Sequence, residues 1–516
     1  MSDEKIHPNQ FVKRVLPLLL GIIVVVLLAS VALAQDGGWT TPVLISTPSE
    51  ISWFPDLTVD VYGTPHVIWC RTEPVEYGGL SEQVMYTSFQ GDRWKEPNDI
   101  VPPSAEIVRN AIAADRSGNV HMIFGGSVRG ILTLYYQRAA VSDAWSAAAW
   151  SEPHLINQGI AYMGDIALDS KGVVHVIYDD TRQNPQVYPP IRADIFYRRS
   201  ENGGRIWSTP INLYSQPLTG SARPYMKIDA NDVIHVTLDE GWDRLSGARP
   251  DNEEYHGAYV SSMDGGQTWT EPYLIEHPDR NVAQLTAGSD NESGVLLVWR
   301  SMSEDYERIF YQWSDDGGRT WQEPDVIPWI FARPFATFDM YDLTTDSAGH
   351  IHLLAVGRST PEPKALLGVY HLIWDGERWS APTRIFAQEG LYPEYPKIVI
   401  HEGNQLHAAW FTREGSVWEQ DVNRVIWYSR SQVAAPHRPV TPMPTEMPES
   451  TKTVAPTPAP VPTPTLYQFN RDESGLPSGL HTESDELFRL VIALFPVILL
   501  IGVLIAVRMN WFHRSR

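Results

Sequence analysis

The sequence predicts an all-β fold, a propeller of seven (alternatively six) four-stranded antiparallel blades, followed by a C-terminal transmembrane helix. Three observations carry this. A polar Asp turn, typically Asp-x-x-Gly-x-x-His followed by apolar residues, recurs at Asp60, Asp115, Asp169, Asp229 and Asp346, with degenerate copies at Asp290 and His401. A second polar turn ending in Trp alternates with it at Trp39, Trp94, Trp150, Trp207, Trp269, Trp321 and Trp379, spaced 52 to 62 residues apart. Near the end, the apolar run 487–507 precedes Arg508, Arg514 and Arg516 with no acidic residue among them.

In chain order, Lys13 and Arg14 open an apolar run, 15–34, that ends Ala32-Leu33-Ala34. A basic start, an apolar run and a small-x-small end describe a signal peptide; the run is also long enough to serve as an N-terminal anchor. Either way, residues 1–34 are expected to export the repeat region. Residues 35–433 hold the repeats. Each contains an apolar strand A before the Asp turn, B after it, C before the Trp turn and D from the Trp onward. Such polar turns between apolar segments are hairpin signals, and four short strands per period describe a propeller blade. The last repeat lacks a D strand, while Trp39-Thr-Thr-Pro-Val-Leu-Ile stands alone at the start. Pairing the two closes the ring.

Two of the Trp turns, Ser262-Met-Asp264-Gly-Gly266-Gln-Thr-Trp269 and Ser314-Asp-Asp316-Gly-Gly318-Arg-Thr-Trp321, fit Ser-x-Asp-x-Gly-x-x-Trp without mismatch. Ser200-Glu-Asn202-Gly-Gly204-Arg-Ile-Trp207 differs only by Asn for Asp. These resemble the Asp-box, or BNR, repeats of sialidase-like propellers. The resemblance implies that Ser262, Asp264, Gly266, Trp269, Ser314, Asp316, Gly318 and Trp321 are structural and lie away from any active site. It also implies a possible sialidase-like glycoside hydrolase. Sialidases hold their substrate carboxylate with three arginines, the first in an Arg-Ile-Pro motif. The matching stretch here, 46–56, has no arginine, so no catalytic residue is carried over.

Function is expected on the face formed by the B–C and D–A loops, which carry arginines, rings and carboxylates. Guanidinium groups clamp carboxylates and rings stack on pyranose faces, so Arg182, Arg300, Arg358 and Arg413 are the candidate ligand-binding residues. The ligand class is an extracellular glycan or protein. A rival reading, a glycoside hydrolase, uses inner-strand carboxylates. Four residues before the Asp turns stand Asp56, Asp165 and Asp342, with Tyr225 at the same position; Tyr395 completes the catalytic candidates. A third reading is a non-catalytic surface scaffold.

Composition narrows the classes. With 40 basic and 62 acidic residues the chain has a net charge of −22, which disfavours nucleic acid, a ligand bound by clustered Lys and Arg. Cys70 is the single cysteine, so neither an intrachain disulfide nor a cysteine metal cluster can form. The repeated histidines fall one per repeat, at separate interfaces, so no metal is expected; no cofactor is expected either. Residues 434–486 are a Pro/Thr-rich extracytoplasmic linker, a composition that prefers extended geometry to a core. Acidic residues before 487–507 and the basic tail 508–516 after it place the tail in the cytoplasm. The chain then sits at the cell membrane by this helix, single-pass, or two-pass if the N-terminal segment stays.

Overall fold

The computed structural model describes residues 38–444, apart from 49, 75–79, 105–106, 128–131, 158, 182–192, 216–219, 242–255, 276–281, 302–306, 334–340, 363 and 416–421. The N-terminal apolar run, most of the Pro/Thr segment, the C-terminal apolar run, the basic tail and Arg182 lie outside the described residues. Among the described residues no helix is long and apolar enough to cross a membrane.

Among the described residues every regular element but one short 3-10 turn, Ala147–Ala149, is a strand. Five repeats each form a separate four-stranded antiparallel sheet, its A strand at one edge and its D strand at the other. The A strands of these five are Ile107–Ala114, Gly164–Leu168, Ser221–Ile228, Val282–Ser289 and Asp342–Thr345. The first and last repeats, with A strands Ile51–Val59 and Leu391–His401, share a nine-stranded sheet joined by a parallel bridge between Ile51 and Arg424. Val43 pairs with Tyr428 and Leu44 with Trp427. The segment after Trp39 thus supplies the outer strand that the last repeat lacks, as its spacing predicts.

The core lies between neighbouring sheets. Ile68, Val84 and Tyr86 of the first repeat pack with Val120, Phe124 and Trp150 of the second, and similar clusters recur around the chain. Each B strand is buried almost throughout because both its faces meet a neighbouring sheet, so it reads as a continuous apolar run.

The Trp turns tie sheet to sheet. Trp150 meets Tyr86 of the preceding repeat, Trp207 meets Tyr136, Trp269 meets Tyr197, Trp321 meets Tyr259 and Trp379 meets Tyr311. Trp39 meets His371, and Trp94 meets Tyr428. All are edge-on contacts with centroids 4.7 to 6.2 Å apart, the geometry that ring quadrupoles favour.

The Asp-box turns are self-contained. Asp264 Oδ1 accepts the Gln267 and Thr268 backbone N–H groups at 2.9 Å and bonds Ser262 Oγ at 2.9 Å; Asp316 does the same with Arg319, Thr320 and Ser314. Gly266, at φ +79°, brings its backbone against the Tyr197 hydroxyl, and a Cβ there would sit 1.9 Å from that oxygen. Only glycine fits. Hydrogen bonds from Thr320 hold the exposed Asp316 carboxyl at about 2. Asp264 is also held at about 2, its slight burial outweighed by the bonds from Thr268 and Ser262.

The repeated histidines are structural links. His66 bonds the Tyr86 hydroxyl at 2.5 Å through Nδ1 and Asp60 at 3.1 Å through Nε2. His121 repeats the pattern with Tyr136 and Asp115. His175, His235 and His407 reach Tyr197, Tyr259 and Tyr428, and His352 reaches His371. The turns at Asp60, Asp115, Asp169, Asp229 and Asp346 are thus each linked through a histidine to the ring on which the next Trp packs.

Candidate functional site

Strand register places one residue of each repeat at the same tier around the axis. Asp56 stands opposite Ile68, Ala111 opposite Ile123, Asp165 opposite Ile177, Tyr225 opposite Thr237, Thr286 opposite Val298, Asp342 opposite Leu354 and Lys397 opposite Ala409. Each partner lies two residues after its repeat's histidine, or after Leu296 in the fifth repeat. Four of the five catalytic candidates belong to this tier, and the fifth, Tyr395, lies two residues from Lys397.

Three carboxylates of the tier clasp the next repeat. Asp56 accepts the Ile112 N–H at 2.8 Å, Asp165 the Met226 N–H at 2.9 Å and Asp342 the Ile398 N–H at 2.8 Å. Lys227 reaches Asp342 at 2.6 Å, and Lys397 lies 3.8 Å from Asp56. Lys397 also sits 4.4 Å from the Tyr225 ring centre and 5.4 Å from that of Tyr395. Burial lifts Asp56 to about 6, opposed by Lys397 and helped by Asp165 and Asp342. Asp165 is likewise raised by burial. A carboxyl lifted this far can hold a proton near neutral pH and give it up. Lys397 could have been found from sequence, since it stands four residues before His401 just as Asp56 stands four before Asp60. Lys227, two residues beyond its repeat's tier position, gave no such signal.

A second tier lies two residues earlier on the A strands. Phe54, Arg223, Gln284 and Tyr395 all have positive φ, between 50° and 59°, and the strand register shifts beside each one. Non-glycine residues in the left-handed region cost free energy and cluster at functional positions. Arg109 occupies the corresponding place in the second repeat. Its guanidinium lies 3.4 Å from the Phe54 ring centre and 5.7 Å from that of Tyr395. Burial lowers Arg109 to about 10, Tyr395 opposes this, and the neighbouring positive charge of Arg223 adds to it. Arg223 is paired with Asp239 at 2.9 Å, and the same carboxylate accepts the Gln284 and Leu285 N–H groups. Two buried guanidinium groups and two aromatic rings thus share one end of the axis. Arginine and aromatic side chains are visible there in sequence; the strained bulges that converge them are not.

The arginines expected on open loops require a correction. Arg300 lies in strand Val295–Ser301, Arg413 in strand Gln405–Glu414, and Arg358 directly follows strand Ile351–Gly357. All three are buried. Arg300 Nη2 donates to the Arg333 carbonyl, Arg358 donates to the Ala332 and Glu362 carbonyls and pairs with Glu307, and Arg413 pairs with Glu394. The B strands run further than their apolar residues suggest, so these side chains turn inward rather than into loops.

A BNR repeat-like domain model matches residues 146–408, more than half of the chain. The chain belongs to the BNR repeat-like family. Among solved structures, this BNR propeller is similar to a Dyadobacter fermentans protein of unknown function, at 14% identity over 77% of this chain and 100% of the other, with a TM-score of 0.46. It is also similar to the NanB sialidase from Streptococcus pneumoniae, at 12% identity over 77% and 70%, TM-score 0.43. A PL25 ulvan lyase solved with a GlcA–Rha3S oligosaccharide matches at 13% over 76% and 94%, TM-score 0.48. No curated protein matches the BNR propeller chain.

Proposed function

We propose that this protein is a membrane-tethered, extracytoplasmic seven-bladed propeller that binds acidic glycans at the axial tier of Phe54, Arg109, Arg223 and Tyr395. The observation that carries the reading is the pair of buried guanidinium groups, Arg109 and Arg223, set against each other beside two rings on strained bulges. An incoming carboxylate or sulfate would offset the positive charge that these two guanidinium groups bring together. Seven blades are supported by the Trp contacts that run from repeat to repeat and return from Trp94 to Tyr428. The tether is the apolar run 487–507, with 1–34 as signal or second anchor.

The test is a glycan array probed with the detergent-solubilised full chain. Binding should concentrate on uronic- or sialic-acid glycans and fall at least tenfold in Arg109→Ala and Arg223→Ala. Equal binding to neutral and acidic glycans would rule the reading out. A second reading, hydrolysis of a glycosidic bond, is favoured by Asp56 at about 6 beside Asp165 and Asp342. Turnover of fluorogenic glycosides that Asp56→Asn abolishes would establish it.

A further inference from the structure

The rings of the axial tier, Phe54 and Tyr395, are themselves buried. Among the described residues, the Phe, Tyr and Trp side chains that stand exposed are Tyr62, Trp329 and Tyr392. Tyr62 belongs to an Asp turn, at the other end of the A strands. Tyr392, 40% exposed, lies three residues before Tyr395 on strand Leu391–His401. Trp329, 56% exposed, lies in the connection between the D strand Asp325–Val326 and the next A strand.

Trp329 is held outward at a cost. The chain turns at Pro328-Trp329, and Trp329 takes φ +61°. Glycine or asparagine ordinarily fills such a place, and another residue there costs about 1–3 kcal/mol. Its neighbours turn the other way: Ile327, Ile330 and Ala332 are fully buried. Both flanks are pinned. The Ile327 N–H donates to the Ile309 carbonyl at 2.9 Å, and the Ala332 N–H to the Glu307 carbonyl at 2.8 Å. Phe331 and Arg358 exchange backbone bonds at 2.9 and 2.7 Å.

Buried arginines brace the same segment. Arg358 Nη2 donates to the Ala332 carbonyl and Arg300 Nη2 to the Arg333 carbonyl, each at 2.8 Å. Arg333 in turn pairs at 2.5 Å with Glu394, the residue before Tyr395, and Arg413 holds the same carboxylate. Trp329 is four residues from Arg333, at most about 14 Å along the chain. The braced segment thus borders the strand that brings Tyr395 to the tier.

We propose that Trp329 forms an outer subsite of the acidic-glycan site, stacking on a pyranose further along the chain whose acidic sugar Arg109 and Arg223 hold. The inference rests on the acidic-glycan reading and adds the size of the ligand: an oligo- or polysaccharide, not a single acidic sugar. An indole presents a large apolar face, and the C–H face of a pyranose loses water against it. A ring already fixed by its backbone gives up little conformational freedom when the sugar arrives.

The full chain in detergent on the glycan array, in a concentration series, tests this with uronic- and sialic-acid probes displayed as single sugars and as oligosaccharides. The oligosaccharides should bind at least tenfold more tightly than the single sugars. Trp329→Gly should remove that difference and leave single-sugar binding as it was. It should melt no lower than the wild type, because glycine suits the positive φ. Trp329→Phe should retain most of the difference, and Arg109→Ala should weaken both probe sizes alike. Neutral oligosaccharides bound as tightly as acidic ones, with Trp329→Gly weakening both, would remove the acidic-glycan reading and support the Trp329 subsite alone. Equal affinity for single sugars and oligosaccharides, a size preference unaltered in Trp329→Gly, or a Trp329→Gly variant that melts lower and loses both sizes equally overturns the subsite, whether or not acidic selectivity stands.

Discussion

Trp94 meets Tyr428 edge-on, with ring centroids 4.7 Å apart and planes at 72°. One residue belongs to the first repeat and the other to the last, so the contact made between every adjacent pair of repeats is also made across the chain ends. Val43 and Leu44 reinforce it by pairing with Tyr428 and Trp427. Deleting residues 35–46 should expose an unpaired strand edge, which promotes aggregation, and lower the melting temperature of the whole repeat region. Trp94→Ala alone should cost about 2 kcal/mol. Thermal unfolding of the full chain decides this: a soluble deletion variant with unchanged melting would mean that the ends do not close the ring.

Asp264 shows how the Trp turns contribute to stability. Its carboxylate gathers Gln267, Thr268 and Ser262 in one exposed turn. Asp264→Ala should lower stability by about 1 kcal/mol and leave acidic-glycan affinity unchanged. Chemical denaturation and the glycan array read the two effects separately. A folded variant that no longer binds would place the ligand on the Asp-box face instead.

Two buried histidines make stability sensitive to mild acid. Burial, with His352 nearby, lowers His371 to about 3; burial, with His401 and Arg430, lowers His407 equally. Their folded values lie below the ordinary 6.5, so the unfolded chain takes up protons first as pH falls. Stability is full above about pH 6.5 and lost progressively towards 3. Each residue should remove about 2 kcal/mol between about pH 7 and 5. His371 occupies the place that Tyr86, Tyr136, Tyr197, Tyr259 and Tyr428 hold in other repeats. His371→Tyr should therefore keep the bond to His352 and flatten the profile by that amount. An identical pH profile for wild type and variant would show that His371 does not titrate on unfolding.

Much of this was legible because the repeats keep one pitch. The six-residue interval from Asp60 to His66, and the four from Asp56 to Asp60, recur closely enough to align Asp56, Asp165, Asp342 and Tyr225 before any strand is seen. The missing D strand and the orphan Trp39 segment predicted the pairing of Val43 with Tyr428. What stayed hidden is conformational. Phe54, Arg223, Gln284 and Tyr395 take positive φ without a glycine to announce it. Arg300, Arg358 and Arg413 read as loop residues because strand B continues beyond its apolar run, and a polar residue at a strand end looks like the start of a turn.

Asp239 offers the sharpest separation of support from binding. Its buried carboxylate accepts the Gln284 N–H at 2.9 Å and the Leu285 N–H at 3.1 Å, and pairs with Arg223 at 2.9 Å. It thus holds one strained bulge of the next repeat and aims one guanidinium of the tier proposed to bind acidic glycans. Asparagine offers a single acceptor oxygen and no charge, so Asp239→Asn removes the buried carboxylate that pairs with Arg223. Removing one member of such a pair costs about 3–5 kcal/mol. Asp179, four residues after His175 as Asp239 is after His235, is the control: it accepts the Tyr162 and Met163 N–H groups of its own repeat at 2.8 and 3.2 Å. Asp179→Asn should lose stability and keep its glycan affinity. Asp239→Asn, assayed below its melting temperature, should lose stability and at least tenfold in affinity for acidic glycans, a loss of about 1.4 kcal/mol or more. Equal affinity in the two folded variants would remove Arg223 from the binding tier and leave it a structural partner of Asp239.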